Sequence, residues 1–104
     1  MSIKVTTTIE LKQQLNVRYL NIVKFGAKWC APCVQIKEEF DNVKKTYPEI
    51  GLISIDIDNS EELATKYRVK TIPYFVLFKN GEVLDDCRGH FQPLLETLRE
   101  NHLL

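Results

Sequence analysis

Two cysteines enclosing an Ala-Pro pair, Cys30-Ala31-Pro32-Cys33, are the residues of this chain best suited to chemistry. They stand where the apolar stretch Ile22-Val23-Lys24-Phe25 gives way to one in which Ile36, Phe40, Val43 and Tyr47 recur every three or four residues. The first stretch reads as a buried strand and the second as an amphipathic helix. If Cys30 is the N-cap, Cys33 is the third helical residue, whose backbone N–H has no partner within the helix. That donor and the helix dipole both favour a thiolate on Cys30. Pro32 falls in the first turn, where a missing N–H costs nothing. Helical side chains three apart have Cβ atoms about 5–6 Å apart, whereas a disulfide needs about 3.5–4.5 Å. With one partner at the flexible cap, the pair closes into a short, exposed bridge suited to exchange rather than to support. Cys30 attacks and Cys33 resolves, which is thiol–disulfide exchange.

The rest of the chain is consistent with cysteine being free for this work. Its 104 residues fit one domain, 1–104, with one core. Three cysteines are too few, and odd in number, for a disulfide framework. Fourteen basic and fourteen acidic side chains cancel. That balance argues against nucleic acid or an anionic membrane as the main partner. The N-terminus lacks the apolar core of a signal peptide, and no apolar run is long enough to span a bilayer. A reducing, cytoplasmic setting is the expectation.

The elements that must position the pair follow from periodicity. Ile3-Lys4-Val5 is a short strand, and Thr7 with Glu10 has capping-box spacing for a helix through Leu15. Tyr19 to Ala27 is the strand before the cysteines. Pro48 and Gly51 end the cysteine-bearing helix, and Leu52 to Ile57 alternates as a strand. Asn59 and Glu62 cap a further helix that ends near Tyr67. Tyr74 to Phe78, then Asn80-Gly81, then Glu82-Val83-Leu84 is a hairpin, and a closing helix starts near Pro93. The order predicts an α/β fold: a mixed sheet, parallel where strands are joined through helices, with helices on both faces.

Three stretches carry a resemblance that spans nearly the whole chain. They are Phe25-Gly-Ala-Lys-Trp-Cys-Ala-Pro-Cys33, Asp56-Ile-Asp58, and Val69-Lys-Thr-Ile-Pro-Tyr-Phe-Val-Leu-Phe-Lys-Asn-Gly-Glu82, with Gly89 following. The sequence resembles the thioredoxin family, one of the systems from which the general behaviour of low-pKa cysteine pairs is drawn. The resemblance implies the thioredoxin fold and a dithiol carrier that reduces disulfides in other proteins and is recharged by a thioredoxin reductase. It implies a monomer with no metal and no cofactor beyond the Cys30–Cys33 disulfide. It also implies a cis Ile72-Pro73 bond facing the cysteines. Trp29, Ala31, Pro32, Ile72, Pro73 and Gly89 would form the substrate groove, and Asp58 would either accept the Trp29 indole N–H or cap the segment after it. Ala31 replaces the glycine commonest at its position.

Lys24 departs from the pattern. Thioredoxins usually place a buried aspartate there, and Ser54 stands where many have its lysine partner. A lysine in this strand has three readings: its ammonium snorkels to the sheet edge, pairs with Asp56, or lies near Cys33 and modulates it. At about 5–6 Å and an effective dielectric near 20, attraction to a Cys33 thiolate is about 3 kcal/mol, or about two pKa units at most. Besides a disulfide oxidase with the same motif, against which the lack of a secretory signal counts, two other functions compete with the dithiol carrier. One is a binding module that keeps the fold without turnover. The other is a zinc site in which Cys87 and His90 join Cys30 and Cys33, although the gap between the pairs is far wider than the ~12–20 residues usual for such sites.

Overall fold

A computed structural model describes residues 2–104. The elements run β1 (Ile3–Lys4), α1 (Thr8–Leu15), β2 (Leu20–Gly26), α2 (Ala31–Thr46), β3 (Ile50–Asp56), α3 (Glu61–Lys66), β4 (Tyr74–Lys79), β5 (Glu82–Arg88) and α4 (Gln92–Glu100). The strands form one five-stranded sheet in the order β1-β3-β2-β4-β5.

Local chemistry accounts for most element ends. Thr7 caps α1 through the capping box with Glu10. At the hairpin, Asn80 and Gly81 both have positive φ, 51° and 82°, as a two-residue turn between twisted strands requires. The cap of α3 differs from the expectation. Ser60, rather than Asn59, is the N-cap, and its side chain makes no capping hydrogen bond.

Strand direction also departs in part. β2 pairs in parallel with β3, and β1 with β3, but β4 runs antiparallel to β2 although α3 connects it to β3. The six residues of α3 rise only about 9 Å, far less than a seven-residue strand of about 23 Å. The chain therefore does not return to the start of β3. It enters β4 at the end where β3 leaves off, placing Tyr74 opposite Phe25.

Alternation along the strands divides the core in two. Val23, Phe25, Ile53, Ile55, Val76 and Phe78 pack with Leu11 and Leu15 of α1 and Leu63 of α3. On the other face Leu20, Ile22, Leu52, Phe75 and Leu77 meet Phe40 and Val43 of α2, Phe91, and Leu94 and Leu98 of α4. The rings of Phe40, Phe75 and Phe91 lie with centroids 5.4–5.6 Å apart, in the range of favourable aromatic contact. Lys24 points to this second face, between Ile22 and Gly26.

Candidate active site

β2 ends at Gly26, and the short connection to α2 delivers the cysteines. Cys30 is the N-cap of α2, with extended backbone, and Pro32 lies in its first turn. The Cys33 backbone N–H donates to Cys30 Sγ at 3.3 Å, the sulfur standing where a capping oxygen otherwise would. The two cysteines are joined in a disulfide with Cα atoms 5.3 Å apart. Cys30 Sγ also lies 3.8 Å from the Ile72 carbonyl oxygen. That contact comes from the loop before β4, where the Ile72-Pro73 bond is cis.

Burial does not separate the two sulfurs in this oxidised form. Cys30 is 5% exposed and Cys33 6%, so exposure here does not mark either sulfur as the open one. The bridge is thus covered rather than exposed, because Ala27, Ile57 and Ile72 pack around it. The contrast lies in what each sulfur faces. Cys30 faces the Ile72-Pro73 loop, whereas Cys33 lies over β2, where a Cβ on Gly26 would come within 3.3 Å of its Sγ. A glycine at this position permits that approach.

Trp29, Ala31 and Pro32 are exposed, Ile72 is half-buried and Pro73 is buried. The Gly89 N–H donates to the Pro73 carbonyl at 2.8 Å, tying the loop after β5 to the cis-proline turn. Trp29 Nε1–H donates to Asp58 Oδ2 at 2.9 Å, which decides between the two readings of Asp58. Val34, 60% exposed one residue beyond Cys33, adds an apolar side chain that sequence reasoning missed. The available signal was an apolar residue directly after Cys33 and outside the stripe of Ile36, Phe40, Val43 and Tyr47.

Two readings of Lys24 are overturned. β2 lies inside the sheet, flanked by β3 and β4, so no edge is available for snorkelling. Lys24 pairs across the sheet with Ser54 and Phe75, whereas Asp56 lies opposite Gly26 and accepts the Asp58 N–H at 2.9 Å. Among the described residues Lys24 forms no ion pair. Its ammonium sits 5.2 Å from the centre of the Phe40 ring. Burial pushes the Lys24 amine below the ordinary lysine value, Asp41 on α2 pulls it partly back, and Lys37 lowers it further. Cys33, Lys37 and Asp41 recur every four residues along α2, a stripe that the sequence could have disclosed.

The lowered amine makes stability depend on pH. Between its folded value and the ordinary 10.5, the unfolded chain holds a proton on Lys24 that the folded chain does not. Stability contributed through Lys24 therefore rises with pH across that window, and below it the cost of burying the charge is constant. Urea midpoints from pH 7 to 11 are expected to show this rise in the native protein and to lose it in Lys24→Met. Identical slopes would place the ammonium in water.

Cys87 and His90 do not join the disulfide. Cys87 pairs with Phe75 across β4–β5 and packs on the α2/α4 side of the core, with its sulfur 4.0 Å from His90 Nε2. Among the described residues no group of three or more His, Cys, Asp or Glu side chains is placed to hold a metal. No described helix is long and apolar enough to cross a membrane.

A central mixed sheet with helices on both faces, and a Cys-x-x-Cys disulfide at a helix start beside a cis-proline, define a dithiol–disulfide exchange protein. The sequence model of the thioredoxin family matches residues 2–100, and the chain belongs to that family. It is 32% identical to Thioredoxin 1 of Plasmodium falciparum over 94% of both chains, and 34% identical to Thioredoxin-1 of Schizosaccharomyces pombe over 90% of this chain and 91% of that one. It spans about half, 54%, of Thioredoxin-2 of Pyricularia oryzae, at 32% identity over 89% of its own length. The X-ray structure of Fasciola hepatica thioredoxin superposes with a TM-score of 0.86 at 32% identity, over 94% of this chain and 97% of that one. The Cys30–Cys33 couple is the redox centre of a protein-disulfide oxidoreductase.

Proposed function

We propose that the 104-residue chain acts as a monomeric, single-domain carrier of two electrons in the cytoplasm, reducing protein disulfides and drawing its electrons from a thioredoxin reductase. The thiolate of Cys30 attacks one sulfur of a client disulfide, forming a mixed disulfide and releasing the other client sulfur as a thiolate. Cys33, deprotonated, then attacks Cys30, closing the Cys30–Cys33 bridge and freeing the second client sulfur. The couple itself carries the electrons, so no metal or further cofactor takes part. Trp29, Ala31, Pro32, Ile72, Pro73 and Gly89 hold the client segment, which pairs in extended form with backbone near Ile72. Lys24 favours the Cys33 thiolate through its positive charge.

The observation that carries this reading is the Cys33 N–H directed at Cys30 Sγ, because a donor so placed stabilises negative charge on Cys30. Insulin reduction driven by NADPH and a thioredoxin reductase is the direct test. Steady turnover is expected, and a binding module would show none. On the reduced protein, limiting iodoacetamide should label Cys30 before Cys33; the opposite order reverses the assignment. In Lys24→Met the pH at which mixed-disulfide resolution is half-maximal should rise, by up to about two units. Coincident profiles would remove Lys24 from the chemistry.

A further inference from the structure

A second concavity lies on the α2 side of the sheet, at the ends of β2 and β3. It shares Gly26, Ala27, Cys33 and Val34 with the surroundings of the disulfide but none of Trp29, Cys30, Ile72 or Pro73. Its volume is about 290 Å³, near the lower limit for small-molecule sites and ample for an inorganic ion. Four lysines line it: Lys4 from β1, Lys24 from β2, Lys28 from the connection to α2, and Lys37 from α2. The one carboxylate in its wall, Asp56, accepts the Asp58 N–H through Oδ1 and keeps its charge, so four ammonium groups face a single carboxylate. Lys37 is bridged to Asp41 at 3.0 Å.

Lys24 sets this cavity apart from a patch of surface lysines. It is only 8% exposed, yet among the described residues its ammonium makes neither a hydrogen bond nor an ion pair; the Phe40 ring centre lies 5.2 Å from it, and the Asp41 carboxylate, bridged to Lys37, acts on it only through space. Lys24 lines the cavity, and an ammonium there without a protein partner is free to make charge-assisted bonds to an oxyanion. Val5, Ala27, Val34 and Ile55 supply the apolar part of the lining beside the lysines.

We propose that this cavity binds a small oxyanion of the phosphate class, held by Lys24 at its floor and by Lys4, Lys28 and Lys37 around it. The bound anion stands beside Cys33, offsets the charge of Lys24 and disfavours the Cys33 thiolate, so it slows resolution of the mixed disulfide. The kinetic half of this proposal rests on Cys33 being the resolving cysteine; the binding half does not.

Inorganic phosphate is the probe, titrated into the protein at constant ionic strength with chloride while amide NMR signals are followed. Saturable shifts at Gly26, Cys33 and Ser54 are expected, with affinity reduced about tenfold or more in Lys24→Met and several-fold in Lys4→Gln. Lys4 is exposed on a two-residue edge strand, so that variant keeps the fold and tests the site if Lys24→Met disturbs packing. Non-saturating shifts, equal shifts beside the remote Lys12, Lys45 and Lys66, or unchanged affinity in both variants would overturn the site. Decay of a mixed disulfide formed on Cys30 should slow with phosphate in the native protein but not in Lys24→Met. Saturable binding with no change in that decay overturns the kinetic half. Insulin reduction in phosphate-free buffer is scored separately, so its failure counts against the reductase reading and not against the anion site.

Discussion

Cys30→Ser is expected to reduce insulin-disulfide turnover to background, a loss of ~10³-fold or more, as for removal of the nucleophile in other covalent enzymes. The hydroxyl left at the N-cap still accepts the Cys33 N–H, so α2 and the fold should persist, as measured by circular dichroism. Cys33→Ser is expected to fail at a different point. Its Cys30 remains beneath the same N–H donor and still forms the mixed disulfide, but nothing then attacks Cys30 from within the protein. Covalent adducts with clients should accumulate and be released by dithiothreitol, and they should be visible on non-reducing gels. Adducts that accumulate on Cys30→Ser instead would exchange the two roles. The test depends on the different neighbours of the sulfurs, because their exposures of 5% and 6% offer no basis for choosing.

Phe40→Ala should cause the largest loss of stability among single side-chain changes around the site. Phe40 is fully buried, and its ring meets Phe75 at 5.6 Å, Phe91 at 5.5 Å and the Lys24 ammonium at 5.2 Å. Truncating such a ring removes its transfer energy and leaves a cavity between α2, β4 and the start of α4, at a cost of about 3–5 kcal/mol. A domain of this size has a total stability of about 5–15 kcal/mol, so the melting temperature should fall by roughly 12–40 °C. Phe40→Leu refills much of the space and should cost markedly less. A loss below ~1 kcal/mol in Phe40→Ala would mean that the three rings do not form a packed unit. The change also removes the aromatic face beneath Lys24, so loss of packing and loss of the ammonium's position should appear together.

The redox couple and its local setting were legible because each depends on residues a few positions apart. Cys30 as N-cap and Cys33 as the third helical residue follow from one helical turn, and the 3.3 Å contact between N–H and sulfur is that turn realised. The Thr7–Glu10 capping box and the Asn80-Gly81 turn are equally local. Family resemblance added the cis bond at Ile72-Pro73 and the indole–carboxylate contact from Trp29 to Asp58, both present in the fold. Neither follows from spacing alone, since each depends on loops brought together from distant parts of the chain.

Lys24 shows where local reading ends. Its place in a buried strand was evident from the apolar residues around it, but its partners were not. Asp56 appeared near from the strand pattern, yet sheet register sets it opposite Gly26, and the carboxylate that bears on Lys24 is Asp41, from a helix packed across the face. The direction of β4 and the lysine-lined cavity depend likewise on how strands order and which helix covers them. Sequence alone determined the elements, the dithiol and its helix-start position, because neighbours along the chain supply those interactions. Tertiary structure decided the burial of both sulfurs, the company of Lys24 and the cavity beside Cys33, because these arise from contacts between segments whose separation along the chain carries no record of their distance in space.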